Sequence, residues 1–367
     1  MADQDTQGLL EEFRGHQGRR ALLQALVAIG AGGGALLRVA DALADVPADQ
    51  VAQLTLLIQG GPVGDVLRQV ANPLFARSYP KATVEFDVSS NTVAYPKMLA
   101  QRENPVIGGG MFNDLYSARG TLDKMWVPFN PAFLPNGSKV PAPLLVPGSL
   151  GITLHQTPFG IMYNPDRVEA PTSWTDLWKP AYRGRVSMWE TYFDAYAMAA
   201  QATGKAPDVA EGIKAWAPHK QNIGAWVTSP VAEEDLVHRG EMWLAPHWGA
   251  WAEQAKAQGK RVAFAMPKEG ATLWSNQAQC CAGFSPEMTE LLQRCLNTWF
   301  SDECQTAWLT KTFISPAVSS VAVPAEMKSN PAIVSAADAG KLVRLDAQLL
   351  AKNFAAYKMA IDRTLKS

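Results

Sequence analysis

The chain has 367 residues, 33 basic and 34 acidic side chains, a net charge of −1 and a hydrophobic share of 47%. This length predicts about two domains with sizeable cores. The charge balance supplies neither the basic field that nucleic acid needs nor one that would hold an anionic membrane surface, so neither is expected as a partner.

The opening segment differs from the rest. Residues 1–17 are polar, Arg19-Arg20 follow, and 21–37 is apolar and glycine-rich, with small residues at Ala42-Leu43-Ala44. This is the layout of an export signal over 1–44, cleaved near Ala44, and the arginine pair ahead of Leu22-Leu23 resembles a twin-arginine signal. With its four glycines, the apolar run is marginal as a membrane span. The mature chain is expected in the periplasm as a monomer.

Leu54 to Ile58 reads as a buried first strand, closed by Gly60-Gly61. A helix follows, with Val63, Val66, Leu67, Val70 and Leu74 on one face and a disturbance at Pro73. Thr83 to Val88 alternates as a second strand, and Ser89-Ser90-Asn91 caps a helix towards Gln101. Val106-Ile107 is a third strand running into Gly108-Gly109-Gly110. Such β/α alternation predicts ligand contacts from loops at strand carboxyl ends: Gly60-Gly61, Ser89 to Thr92, and Gly109 to Asn113. Pro128 to Pro147 reads as an extended surface segment.

Gly151 to Val186 is the stretch on which the organisation turns. An apolar run turns at Thr157-Pro158, resumes at Gly160 to Tyr163, and ends at Asn164-Pro165-Asp166. A capped, Trp-rich helix from Ser173 and the turn Arg183-Gly184-Arg185 follow. Helices are expected from Phe193, over Asp208 to Trp216, over Val231 to Arg239 and over Gly249 to Gln258. Strands are expected at Val186 to Met188, Met242 to Ala245 (broken by Pro246-His247-Trp248) and Val262 to Met266. Ser285 and Ser301 start two more helices, and Lys341 to Leu365 is a terminal amphipathic helix.

The segment TPFGIMYNPDRVEAPTSWTDLWKPAYRGRV, with Pro267-Lys268-Glu269-Gly270 and Trp274 further on, resembles the type II periplasmic solute-binding proteins of ABC importers, in their spermidine/putrescine-binding branch. The likeness covers roughly Leu54 to Pro324. It implies a two-lobed α/β fold, each lobe a mixed sheet flanked by helices, with a cleft between them. It also implies discontinuous lobes: 51–154 with 273–320, and 155–272 with 321–367. The implied function is solute capture by lobe closure and delivery to an ABC permease of the inner membrane.

Nine of the twelve tryptophans fall between Trp174 and Trp274, a density that suits an aromatic-lined pocket. Trp189, Trp248 and Trp274 are expected to offer ring faces to a cation, with Glu190 and Asp194 its carboxylates. The further residues expected along the cleft are Gly61, Ser90, Phe112, Asn113, His155, Phe159, His247, Asn276 and Phe313. Polyamine-binding relatives carry Trp-x-Asp where this chain has Trp274-Ser275-Asn276, and an asparagine cannot neutralise an ammonium. A solute with fewer amines, or a zwitterion, suits it better. The glycine-rich strand ends could instead hold a carboxylate or phosphonate, while ferric iron fits less well because Tyr192 and Tyr196 are not adjacent.

No metalloprotease, nucleophile-elbow, phosphate-loop or dinucleotide signature is present, so no cofactor and no catalytic residue is expected. An enzyme on the same scaffold would have to use His155 or His247 as its base. Cys295 and Cys304 are one possible disulfide, with buried free thiols the alternative, and the four cysteines lack zinc-site spacing.

Overall fold

The computed structural model describes residues 46–335 and 338–367. The expected export signal lies outside the described residues, as do residues 336–337.

Strand β1 (Ala52–Leu57) pairs in parallel with β2 (Ala82–Asp87) and with β3 (Gly109–Asn113). The helical run between β1 and β2 spans 62–78 and widens to a π turn at Leu67–Ala71, just before Pro73, whose ring removes one helical N–H. Helix α1 (Asn91–Ala100) links β2 to β3, and α2 (Asp114–Leu122) leaves the end of β3.

The third strand is not where alternation placed it. Val106 is exposed, and the strand is Gly109–Asn113, read above as a loop. The reason is backbone crowding. Gly110 has φ 132°, and a Cβ there would lie 2.0 Å from the Leu57 carbonyl oxygen, so only glycine lets this strand enter the sheet.

Strand β4 (Gly151–Tyr163) is one buried, continuous strand; the expected turn at Thr157-Pro158 is absent. Opposite Pro158, Leu273 sends its N–H to the Val343 carbonyl, so the missing proline N–H leaves no broken bond between these two residues. After it come β5 (Val186–Met188), β6 (Ile223–Trp226), β7 (Leu244–Trp248) and β8 (Thr272–Cys281). The strand order is β2-β1-β3-β8-β4-β7-β5-β6. Pro246 does not break β7 but sits inside it, opposite Ile161. Strand β6 carries no alternation strong enough to have been anticipated.

The helices of the second half are α3 (Phe193–Ala202), α4 (Val209–Trp216), α5 (Pro230–His238) and α6 (Gly249–Ala257). Then come α7 (Pro286–Trp299), α8 (Asp302–Thr312) and α9 (Ala347–Leu365). Ser285, Ser301 and Asp346 cap the last three with their side-chain oxygens, so α9 begins six residues after the amphipathic pattern does. The stretch from Trp174 to Trp178 is a 3₁₀ turn closed by a Ser173/Asp176 capping box.

This is a two-lobed α/β fold with mixed sheets. One core gathers Leu54, Leu56, Phe75, Leu292, Leu296, Trp299 and Trp308 from both ends of the sequence. Another gathers Phe159, Trp174, Met188, Tyr196, Ile213, Trp216 and Ile361. Strand β4 serves both halves: its start pairs with β8, its end with β7. Leu134, Val140 and Leu144 bury into the first core, so the proline-rich segment is more than a surface strap. Cys280, Cys281, Cys295 and Cys304 are buried free thiols, which settles the cysteine alternatives against a Cys295–Cys304 disulfide.

Candidate functional site

Register assembles the candidate site. On β4, Thr157 faces Trp274 of β8 and Phe159 faces Trp248 of β7, so one strand brings two tryptophans from distant sequence together. Their ring centroids are 5.3 Å apart. Trp189, from the end of β5, lies 6.3 Å from Trp248, and Tyr192 lies 5.2 Å from both. Trp251, one turn into α6, completes the group at 5.6 Å from Trp248 and 5.4 Å from Trp274. Phe159 is fully buried beneath, 6.0 Å from Trp248. The Trp248 indole N–H is buried and has no partner among the described residues.

Two carboxylates meet β8, the strand that carries Trp274, at Thr272 and at Ser275. Asp194, in the first turn of α3, is pushed up to about 6 by burial; the Thr272 hydroxyl beside it opposes this and the Asp114 charge adds to it. Asp114, first residue of α2, is also raised by burial, against the pull of Ser275, Gln277 and Arg344. It accepts from Ser275 Oγ at 2.8 Å, Ser275 N at 3.0 Å and Gln277 Nε2 at 2.6 Å. The arrangement can hold a cation on its aromatic faces and carboxylates, while the Trp248 N–H can donate to an acceptor on the same solute.

Behind the rings lies a buried polar network. His247 Nδ1 is 3.0 Å from Glu233 Oε2, and its Nε2 is 3.6 Å from Glu234 Oε1. Tyr192 and Ser187 donate to Glu233 at 3.0 and 2.9 Å, and Lys260 reaches Glu234 at 2.9 Å. Burial alone would depress His247, but Glu233 and Glu234 hold it up to about 9, so it is cationic at neutral pH. The network fixes Tyr192 against Trp248.

The expected residues thus divide. Trp189, Trp248 and Trp274 come together, with Phe159 as their floor. Glu190 points elsewhere: its carboxylate bonds Lys358 at 2.9 Å and Lys366 at 2.6 Å on α9, which outweigh burial and hold it below the usual range. His247 is fully buried behind Tyr192, not lining the cleft. His155 is also fully buried, edge-on to Trp308, and burial lowers it to about 3. Its Nε2 faces Asn276 Nδ2 at 3.5 Å, and Asn276 is buried with it. Phe112 packs inside the first lobe, 4.6 Å from Trp126. Asn113 caps α2, accepting from Tyr116 N, and Asn91 holds its backbone N–H. Gly61 and Ser90 are exposed at the starts of their helices, and Phe313 ends α8 in the left-handed region, φ 56°.

Asp114, Tyr192, Trp251 and Thr272 were not singled out as contacts. Tyr192 and Trp251 each fall three residues after a tryptophan that was, which is one helical turn and a usable signal. Asp114 and Thr272 carry none.

The description "bacterial extracellular solute-binding protein" matches residues 111–339, more than half of the chain. The spermidine/putrescine-binding periplasmic protein of Escherichia coli (strain K12) is 27% identical over 119 residues, 30% of this chain and 34% of that one. The chain is thus matched to about a third of that relative's length. The periplasmic binding protein AgtB from A. tumefacien R10, in complex with agropinic acid, superposes with TM-score 0.70 at 14% identity, over 87% of this chain and 100% of that one. AfuA from Actinobacillus pleuropneumoniae, with fructose-6-phosphate bound, gives TM-score 0.66 at 16% identity, over 86% and 99%. The fold is shared with these structures, and the chain belongs to the bacterial extracellular solute-binding protein family.

Proposed function

We propose that this chain captures a small amine-bearing or zwitterionic solute between its lobes, by closure around it, and releases it chemically unchanged to its permease. The observation that carries the reading is Asp194: a partly buried carboxylate, pushed up to about 6, that meets Thr272 on β8, two residues from Trp274 and opposite Phe159. A buried carboxylate held above its ordinary range gains when a cation arrives, because the cation restores the charge that burial disfavours. A cation over tryptophan faces adds about 2 kcal/mol when desolvated. The polyamine named for the Escherichia coli relative supports the same chemistry.

The lobes of this reading are 51–154 with 273–320 and 155–272 with 321–367, and the two large cores support that division. Residues 1–44 serve as a cleaved export signal. Closure follows from population: solute touches both lobes only when they meet, so binding draws the chain into the closed form.

Isothermal titration with putrescine, spermidine, glycine betaine, citrate and fructose-6-phosphate tests the reading. Saturable binding of an amine or zwitterion, with no binding of the two anions, is expected. Exclusive binding of an anion would overturn it.

A further inference from the structure

The two lobes also meet away from the aromatic group, through α2 and α9. Helix α2 grows from the end of β3, and Leu115 in its first turn packs against both the core around Phe159 and the cluster around Tyr95 and Trp126. Helix α9 belongs to the second lobe. Phe354 lies edge-on to Phe193 at 5.6 Å, and Leu350, Tyr357 and Ile361 share that core. Its far end is tied down by the Lys358 and Lys366 bonds to Glu190. The segment leading into it is fixed as well, since Val343 exchanges backbone hydrogen bonds with Ala271 and Leu273, each 3.0 Å.

Arg119 stands where these helices meet. Its guanidinium carbon is 5.2 Å from the Tyr95 ring centroid, 5.3 Å from Tyr116 and 6.0 Å from Phe354. The first two rings belong to the first lobe, and Tyr95 is held there by its hydroxyl bond to Asp123 at 2.5 Å. The third ring arrives with α9. A guanidinium is weakly hydrated and binds ring faces well, so its attraction for Phe354 exists only while the lobes are together.

We infer that Arg119, Tyr95, Tyr116 and Phe354 form an interlobe clasp that sets how much of the protein is closed, and with it the affinity for a solute that none of them touches. This rests on the lobe-closure reading above. Apparent affinity scales with the population of the binding-competent state. Loss of the clasp therefore weakens every solute by the same factor, leaving selectivity unchanged.

The test reads closure itself. Val88 and Val231 are exposed on opposite lobes, and the four native cysteines are buried, so Val88→Cys and Val231→Cys accept a pair of distance labels. Distance distributions are recorded without solute and with spermidine and putrescine, in the labelled parent, Arg119→Ala, Phe354→Ala and the double variant. Each single substitution should lower the closed-to-open ratio about threefold to tenfold, the double should lower it no further, and Arg119→Lys should fall between. Arg119→Lys also guards against a folding defect, because it keeps the cation. If the parent closes and every variant matches it, or if the two single losses add, the clasp is wrong while closure stands. If the parent shows one distance that neither amine moves, the closure reading fails and the clasp with it.

Discussion

The indole of Trp274 lies 5.3 Å from that of Trp248, although their strands, β8 and β7, do not pair with each other. Each pairs with β4 instead, two residues apart at Thr157 and Phe159. A slip of one residue on either side would turn one ring away. Trp274 is only partly buried, so its loss falls on binding more than on stability. Trp274→Ala should weaken solute binding at least about tenfold, which is 1.4 kcal/mol, with the melting temperature of the solute-free protein changed little. Titration beside a thermal melt checks both, and unchanged affinity removes Trp274 from the site.

Asp194 gives binding a pH dependence of known sign. Its carboxyl is pushed up to about 6, so below that pH it is neutral and offers a cation less. Affinity for an amine should therefore rise with pH, by about tenfold from pH 5 to pH 7, and then level off. Asp194→Asn should bind more weakly and lose this slope. A slope of the opposite sign, or one retained in the variant, places the titrating group elsewhere.

His247 makes a prediction about folding. Its ordinary value is 6.5 and the folded value is about 9, raised by Glu233 and Glu234 over the opposing effect of burial. The folded state thus binds the proton more tightly than the unfolded one. The resulting stabilisation, on the order of 3 kcal/mol, is fully present below about pH 6.5 and is lost as pH rises towards 9. Denaturant melts between pH 6 and 10 should show stability falling across that window. His247→Gln should start less stable, since Glu233 is left buried without its cation, and should be flat there.

Gly212 tests the packing of α4 on α3. A Cβ at this position would lie 1.6 Å from the Tyr196 carbonyl oxygen, and a backbone atom cannot step aside as a flexible side chain can. Gly212→Ala should cost more than about 3 kcal/mol, far beyond the usual surface substitution. A melt within a degree of wild type contradicts this contact.

Much of the fold was legible because its signals are local. Alternation and turn residues placed β1 and β2 to within two residues, and Ser285-Pro286 and Ser301 placed the starts of α7 and α8. What failed was set by neighbours in space. Gly109 and Gly110 look like a loop until Leu57 and Gln279 crowd them, and Pro158 and Pro246 look like breaks until the pairing shows the strands continuing through them. At the site, ring content was readable but polar partners were not. Glu190 and Asp194 are equivalent acids in sequence, yet one faces two lysines and the other none within ion-pair reach among the described residues. His155 and His247 are both fully buried, but only His247 has carboxylates to charge it.

The measurement that bears most directly on the whole account is native mass spectrometry of protein purified from the periplasm, followed by unfolding and identification of what is released. A single small amine or zwitterion at one per chain, intact on release, able to rebind and lost in the Trp274→Ala protein, is the expected result. A released anion, a chemically altered molecule, or retention undiminished in that variant would contradict it.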